Sequence, residues 1–124
     1  MALDYSKVTD RQRLAIDEVM DTFEFYKVER HMRQVNWGWA APTPDDEWHL
    51  EVPDIYQLKN SLRRLLVNAC TSMTMNKEAD PDWSSPCWSS CGGFTVYVWP
   101  DDSCQVFFSV TDIWIDSDIL DCDD

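Results

Sequence analysis

The feature that most constrains the fold is residues 92–115, where two apolar runs are separated by a short polar segment that begins at Pro100. In both runs, apolar residues alternate along the chain with the period of two that is typical of a β-strand. Proline presets φ at the second position of a type I turn, and the two aspartates after it tolerate the backbone angles of a turn. The stretch therefore predicts a hairpin of two long strands, 93–99 and 104–115. Because both faces of this hairpin carry aromatic residues, other parts of the chain must cover at least one face.

Helical periodicity lies on the N-terminal side of this hairpin. The clearest helix begins after Asp54, which caps it together with Gln57. An earlier helical region covers residues 9–36, and its pattern leaves open whether it is one helix or two, with a break near Asp21–Glu24 favoured. The clear helix carries one continuous apolar stripe, formed by Ile55, Leu58, Leu62, Leu65, Leu66, Ala69 and Met73.

These elements together predict the fold class. A chain of 124 residues fits one domain, and we expect a single α+β domain over residues 1–120. Two or three helices should pack on one face of a small antiparallel sheet centred on the long hairpin. The helix 55–73 is expected to lie on this sheet, because no other element offers a comparable apolar face. Residues 37–40 and 47–52 are expected to pair as a shorter hairpin, and the acidic tail 121–124 is expected to be disordered.

The net charge of −13 is extreme, and it is distributed unevenly along the chain. All ten lysines and arginines lie before residue 78, whereas residues 78–124 contain eleven acids and no base. Such a chain has no basic face with which to bind nucleic acid or an anionic membrane directly. The charge instead favours a partner with a basic surface.

The five cysteines give no clear framework for a metal site or a disulfide. Cys87-x-x-x-Cys91 lies in a predicted loop, 76–93, and is read either as a metal half-site or redox pair or as buried thiols that pack on the sheet. The second reading is favoured, because the spacing departs from C-x-x-C and no second pair of ligands follows. We therefore expect no metal and no cofactor. Without a signal peptide, the chain is expected to be cytoplasmic with reduced thiols.

No catalytic motif is present in the sequence, so we expect a protein that is not an enzyme. His31 and His49 have no nucleophile or acid at a diagnostic spacing. Gly92-Gly93 precedes a strand rather than a helix, so it is not a phosphate-binding loop. A bulge or a sharp start of the hairpin is the expected role of the two glycines.

Several short motifs between Phe23 and Ile115 resemble a group of small, mostly uncharacterised proteins encoded by bacteriophages. The resemblance implies a phage origin and an α+β fold, and it supplies no catalytic residue. The acidic C-terminal part and the cysteine-rich segment 83–91 depart from that group. The motifs are Phe23-x-Phe25-x-x-Val28-x-x-x-Met32-x-x-Val35-Asn36-Trp37-Gly38-Trp39, Val52-Pro53 before a helix with Leu58 and Leu65-Leu66, and Gly92-Gly93-Phe94.

The favoured functional hypothesis is a phage protein that antagonises a host defence system in the cytoplasm by binding a basic protein surface, in the manner of a nucleic-acid mimic. On an extended strand, three aspartates at near-even spacing would point the same way, and two tryptophans in the polar loop would be exposed for partner contact. Aromatic residues on both hairpin faces also suggest a homo-oligomer. The predicted partner-binding residues are Asp101, Asp102, Asp112, Asp116, Asp118, Trp83 and Trp88.

Two alternatives remain open. The first is a protein that sequesters a nucleotide immune signal between aromatic rings, with arginines for the phosphates. The second is a structural or regulatory phage protein without a host target. For the nucleotide alternative, the predicted ligand-binding residues are Arg30, Arg33, Trp37, Trp39, Arg63 and Arg64.

Overall fold

The predicted hairpin lies at the centre of a four-stranded antiparallel sheet, whose strands β3 (Cys87–Cys91), β4 (Phe94–Val98), β5 (Cys104–Val110) and β6 (Ile113–Asp116) are neighbours in that order. The computed structural model describes residues 3–45, 47–110 and 113–116, and a separate ribbon of two antiparallel strands precedes the main sheet. In chain order the elements are α1 Asp10–Thr22, α2 Phe25–Gln34, β1 Trp39–Pro42, β2 Trp48–Glu51, α3 Ile55–Ala79, β3 Cys87–Cys91, β4 Phe94–Val98, β5 Cys104–Val110 and β6 Ile113–Asp116.

The helices cover the inner face of the main sheet, which confirms the predicted α+β class. Helix α3 packs on β3 and β4, α1 contacts α3 and β5, and α2 contacts α3. The apolar stripe of α3 is buried as expected, apart from the half-buried Ile55. The residues that β4 and β5 contribute to the same buried core are Phe94, Val96, Val98, Val106 and Phe108, all fully or almost fully buried.

The N-terminal helical region is two helices, with the break within the favoured segment. Thr9 and Gln12 form a capping box at the start of α1, and Phe23 leaves the helical conformation at its end, with φ −68° and ψ 131°. The Phe23 ring is buried between the rings of Phe25 and Phe94, at centroid distances of 4.9 and 6.0 Å. This burial fixes the angle at which the chain enters α2.

The turn of the hairpin is bonded to two helices through Asp102. This residue has φ of 69°, the left-handed region that aspartate tolerates, and its amide donates to the Trp99 carbonyl at 2.8 Å. Its Oδ1 accepts a hydrogen bond from Nε2 of the buried Gln12 at 3.0 Å and lies 3.5 Å from Nζ of Lys77 on α3. The carboxylate is only 13% exposed. Asp102 therefore stabilises the fold through contacts within the chain, and its role as a partner contact stays a prediction.

The cysteine-rich segment is a strand, not the loop that was predicted. Cys87–Cys91 pairs along its whole length with β4, from Cys87 opposite Val98 to Cys91 opposite Phe94. Four residues along a strand separate two Cα atoms by about 13 Å, which is too far for a disulfide between Cys87 and Cys91. Cys87 is buried, with Nδ2 of Asn76 3.2 Å from its sulfur, whereas Cys91 is exposed.

The described residues contain no metal-binding cluster of three or more histidines, cysteines or carboxylates. The remaining thiols that can be placed, Cys70 and Cys104, are unoxidised. The hydrogen bond with Cys104 and the burial of Cys70 raise the pKa of the Cys70 thiol. Cys70 is therefore protonated at neutral pH and is a packing residue of the core.

The second strand of the predicted hairpin is two strands, so the prediction of one strand over 104–115 is wrong. β5 ends at Val110 and β6 begins at Ile113, and the two pair in antiparallel fashion with Val110 opposite Ile113. The chain therefore reverses direction between them. Of the three aspartates predicted to share an extended segment, Asp116 ends β6, whereas Asp112 and Asp118 lie outside the described residues, so that prediction stays a prediction.

None of the described helices has the length and apolar character needed to cross a membrane.

Leu62→Asp should unfold the domain, because Leu62 is fully buried between α3 and the sheet. An unpaired carboxylate there costs several kcal/mol, comparable to the whole stability of about 5–15 kcal/mol that is usual for a domain. Circular dichroism and thermal melting provide the measurement. Leu14→Asp is the matched control, because Leu14 on α1 is 70% exposed and its replacement should leave the melting temperature nearly unchanged. A cooperative melt of the Leu62→Asp variant at the parental temperature would show that the stripe is not core.

Candidate ligand cleft

The structure separates the acidic residues that were predicted to contact a partner. Asp101 is exposed at the hairpin turn, where the Ser103 hydroxyl and amide donate to its Oδ1 at 2.6 and 3.0 Å. These bonds lower the pKa of the Asp101 carboxyl, so it is charged at neutral pH. Asp116 ends β6 opposite Phe107 of β5. Asp112 and Asp118 lie outside the described residues.

The two tryptophans predicted to be exposed differ in their surroundings. Trp88 is 64% exposed on the outer face of the sheet, the face opposite the helices. Trp83 is half-buried against the core, and its indole N–H donates to the Ser85 carbonyl at 2.8 Å. The prediction of an exposed ring is therefore confirmed for Trp88 and wrong for Trp83, which packs as a structural residue.

The outer face also carries three half-buried or exposed aromatic residues that contact one another. The Tyr97 ring stacks on Trp99 with a centroid distance of 6.4 Å and meets Phe107 edge to face at 5.7 Å. Together with Gln105, these rings line a shallow depression of about 370 Å³. The depression is apolar, and it has no cation in its lining.

Trp37 and Trp39 lie at a larger cleft of about 650 Å³. Three segments that are distant in sequence form it: the start of the β1–β2 ribbon, one side of α3, and the turn between β3 and β4. The segments quoted above for the phage resemblance, Trp37-Gly38-Trp39 and Gly92-Gly93, meet here. The residues that line this ligand cleft are Trp37, Gly38, Trp39, Ala40, Gln57, Asn60, Ser61, Arg64, Cys91, Gly92 and Gly93.

Both tryptophan rings of the cleft are held in place by the fold. The Trp39 indole N–H donates to the Gly92 carbonyl at 2.8 Å, and the Trp37 ring packs edge to face on the buried Phe108, with 6.2 Å between centroids. The indole N–H of Trp37 has no hydrogen-bond partner among the residues that the structure describes.

The three glycines of the chain, Gly38, Gly92 and Gly93, make this arrangement of the tryptophans possible. Gly92 and Gly93 form the two-residue turn between β3 and β4, with φ of 62° and 95°, as a type I′ turn requires. A Cβ on Gly92 would lie 2.9 Å from the Trp39 indole, which is closer than two carbon atoms can approach. A Cβ on Gly38 would overlap the Glu51 backbone. The glycine pair therefore forms a turn rather than a bulge, and the Trp39 ring packs on this turn.

Helix α3 supplies the polar wall of the cleft. Gln57, Asn60, Ser61 and Arg64 recur at helical spacing and so form one stripe beside the buried apolar stripe. The side-chain oxygen of Gln57 accepts a hydrogen bond from the backbone N–H of Asp54 at 2.9 Å. The side-chain NH₂ group of Gln57 therefore remains as a donor. The wall therefore presents donors from an amide, a hydroxyl and a guanidinium.

Within the described part of the chain, Arg64 is the only charged residue that lines the cleft, and no carboxylate does so. Its guanidinium makes no ion pair within the described part of the chain. Arg63 borders a neighbouring depression and not this cleft. Arg30 and Arg33 lie on α2 away from the cleft, and Arg33 is 3.9 Å from Glu29. Of the six predicted ligand-binding residues, the structure brings Trp37, Trp39 and Arg64 together.

The sequence analysis missed the polar stripe of α3 and the glycine turn as parts of a site. The signal for the stripe was present, because Gln57, Asn60, Ser61 and Arg64 share one side of a helix that the pattern predicted clearly. The glycines gave no signal for their contact with Trp39, since the partner is 53 residues away in the chain.

Comparison of the chain with protein-family models, with curated proteins and with solved structures gave no match.

Proposed function

We propose that this protein is a non-enzymatic binding protein whose ligand cleft holds a planar anionic small molecule of the nucleotide class. One observation carries the proposal: two fixed tryptophans and an arginine meet in a cleft that no acid of the described residues lines and where the arginine has no ion pair among them, on a chain whose net charge is −13. Sequestration of a nucleotide signal during phage infection is the biological role that fits this chemistry, and the phage origin is part of the proposal.

The aromatic rings suit the base of a nucleotide. Stacking of a base on an aromatic side chain contributes about 1–3 kcal/mol and favours no particular base strongly. Because Trp37 and Trp39 are already held by Phe108 and Gly92, binding costs little side-chain entropy, and more of the contact free energy appears as affinity. The free indole N–H of Trp37 and the donors of α3 then select among bases and sugars.

The guanidinium suits the phosphate. Arginine binds phosphate with two parallel, charge-assisted hydrogen bonds, which makes it the common choice for this group. In a strongly acidic protein an anion is repelled from most of the surface. A lining with one cation and no carboxylate is therefore a place where an anion can bind favourably.

The composition of the lining supports binding rather than catalysis. Of the residues that the structure describes, no histidine and no carboxylate lines the cleft, and these are the groups that most often act as general base or acid. Cys91 supplies an exposed thiol, but no base lines the cleft beside it to activate it. A bound ligand is therefore held and released unchanged.

Arg64→Gln should weaken nucleotide binding about tenfold or more, because a hydrogen bond to a charged group contributes about 1.5–3 kcal/mol and 1.4 kcal/mol corresponds to a factor of ten. Isothermal titration calorimetry with AMP, GMP, ATP, GTP and cyclic di-GMP is the measurement. Arg30→Gln is the matched control, since Arg30 is an exposed arginine on α2 outside the cleft, and it should bind as the parent does. The proposal fails if none of the five compounds binds at millimolar concentration, or if the two variants lose affinity equally.

A second candidate is the antagonist that binds a basic host protein through acidic residues. It is favoured by the absence of any base after Lys77, by the exposed Asp101 at the hairpin turn, and by the exposed Trp88. The outer aromatic face that includes Trp88 is also the surface through which a homo-oligomer would form.

In this second case, replacement of Asp112, Asp116 and Asp118 together by Asn should leave the fold intact and weaken the complex with the basic partner. Proteins retained from host lysate by the parent should be lost by the triple variant, and they should be lost from the parent as salt rises to physiological strength. Equal retention of the same proteins by both forms would exclude acidic mimicry through these three residues.

A further inference from the structure

A second depression adjoins the ligand cleft along α3. Its volume is about 450 Å³, and Asn60 and Arg64 line both it and the cleft, so the two are neighbours that share one wall. We call it the arginine depression. Its lining consists of Leu3, Tyr5, Tyr56, Asn60, Arg63 and Arg64.

The described residues that line the arginine depression include two cations and no acid. Neither Arg63 nor Arg64 is paired with a carboxylate within residues 3–45, 47–110 and 113–116. Elsewhere on the molecule most basic side chains are engaged: Lys7, Lys27, Arg33 and Lys77 lie close to carboxylates, and Arg13 and Lys59 lie over the rings of Tyr5 and Phe25. Arg63 and Arg64 thus differ from these six side chains, because they are adjacent and have neither a carboxylate nor a ring as a partner among the described residues.

The N-terminal segment fixes the far wall of the arginine depression. The Tyr5 carbonyl accepts a hydrogen bond from the Val8 amide at 3.0 Å, and Val8 is buried in the core. The guanidinium of Arg13 lies 4.7 Å from the centre of the Tyr5 ring. Tyr5 is therefore held from two sides, and the depression is a formed feature of the fold.

We propose, on the basis of the function proposed above, that the arginine depression receives the phosphates of the ligand beyond the first. The ligand then lies along α3, with its base at Trp37 and Trp39, its first phosphate at Arg64, and its further phosphates at Arg63. Asn60, between the two spaces, donates to the connecting oxygen atoms, and the exposed Tyr56 hydroxyl donates at the far end. The ligand class is a nucleotide with more than one phosphate.

This arrangement assigns different tasks to two adjacent arginines. Arg64 contacts any nucleotide, because it belongs to the cleft and to the depression. Arg63 contacts only those with a second phosphate, because it lines the depression alone. Affinity should therefore rise from the monophosphate to the triphosphate, and Arg63 should account for the rise.

The test is calorimetric titration of AMP, ADP and ATP, and of the matching guanine series, into the parent, Arg63→Gln and Arg30→Gln. The parent and the Arg30→Gln control should bind the triphosphate about tenfold or more tightly than the monophosphate, as expected for added charge-assisted hydrogen bonds. Arg63→Gln should bind the monophosphate as the parent does and lose the gain from further phosphates. Thermal melting should be the same for all three proteins, because Arg63 is exposed.

Three results would overturn the inference. Equal affinity of the parent for monophosphate and triphosphate would show that the arginine depression takes no phosphate. An equal loss for both ligands in Arg63→Gln would place Arg63 at the first phosphate. If no nucleotide of either series bound the parent, the proposed function itself would fail, and this inference with it, whereas the first two results leave that function standing.

Discussion

The contact between the Trp39 indole and Gly92 is the constraint on which the ligand cleft depends. The β1–β2 ribbon is a two-stranded hairpin, and such hairpins are only marginally stable by themselves in water. The hydrogen bond from the indole N–H to the Gly92 carbonyl ties the ribbon to the main sheet. The absence of a side chain at Gly92 lets the ring approach the turn. Without this contact, the cleft would lack one of its aromatic walls.

The remaining walls follow from the packing of the core. Phe108 is buried beneath the helices, and its ring packs edge to face with the ring of Trp37. The buried apolar stripe of α3 packs the helix on the sheet, and this places the polar stripe of the same helix beside the ribbon. The site residues are therefore placed by elements that the core already holds in position. Pre-organised side chains of this kind bind with a smaller loss of conformational entropy.

The sequence predicted the elements with strong periodicity and missed those whose signal was weak. Helix α3 and the pairing of β4 with β5 were predicted, because their apolar spacing is regular over many residues. Strand β3 was missed, because Cys87–Cys91 is rich in serine and cysteine and resembles a loop. The reversal of the chain after Val110 was missed. Apolar residues alternate both before and after the reversal, so the pattern resembles one continuous strand. The burial of Asp102 was also missed, since a turn aspartate is usually solvated and its partner Gln12 is 90 residues away.

Among the residues that the structure describes, the surface of the ligand cleft is lined by an arginine and by no acid, and we propose that an anion binds there. Trp37 and Trp39 line that surface, whereas Trp88 and Trp99 lie on the outer face of the sheet. The most direct measurement is a titration with ATP followed by ¹H–¹⁵N NMR of the indole N–H groups, assigned through single Trp→Phe variants. The account predicts that the Trp37 and Trp39 signals shift in a saturable manner while those of Trp88 and Trp99 do not. Shifts confined to Trp88 and Trp99, or no shift at millimolar ATP, would contradict it.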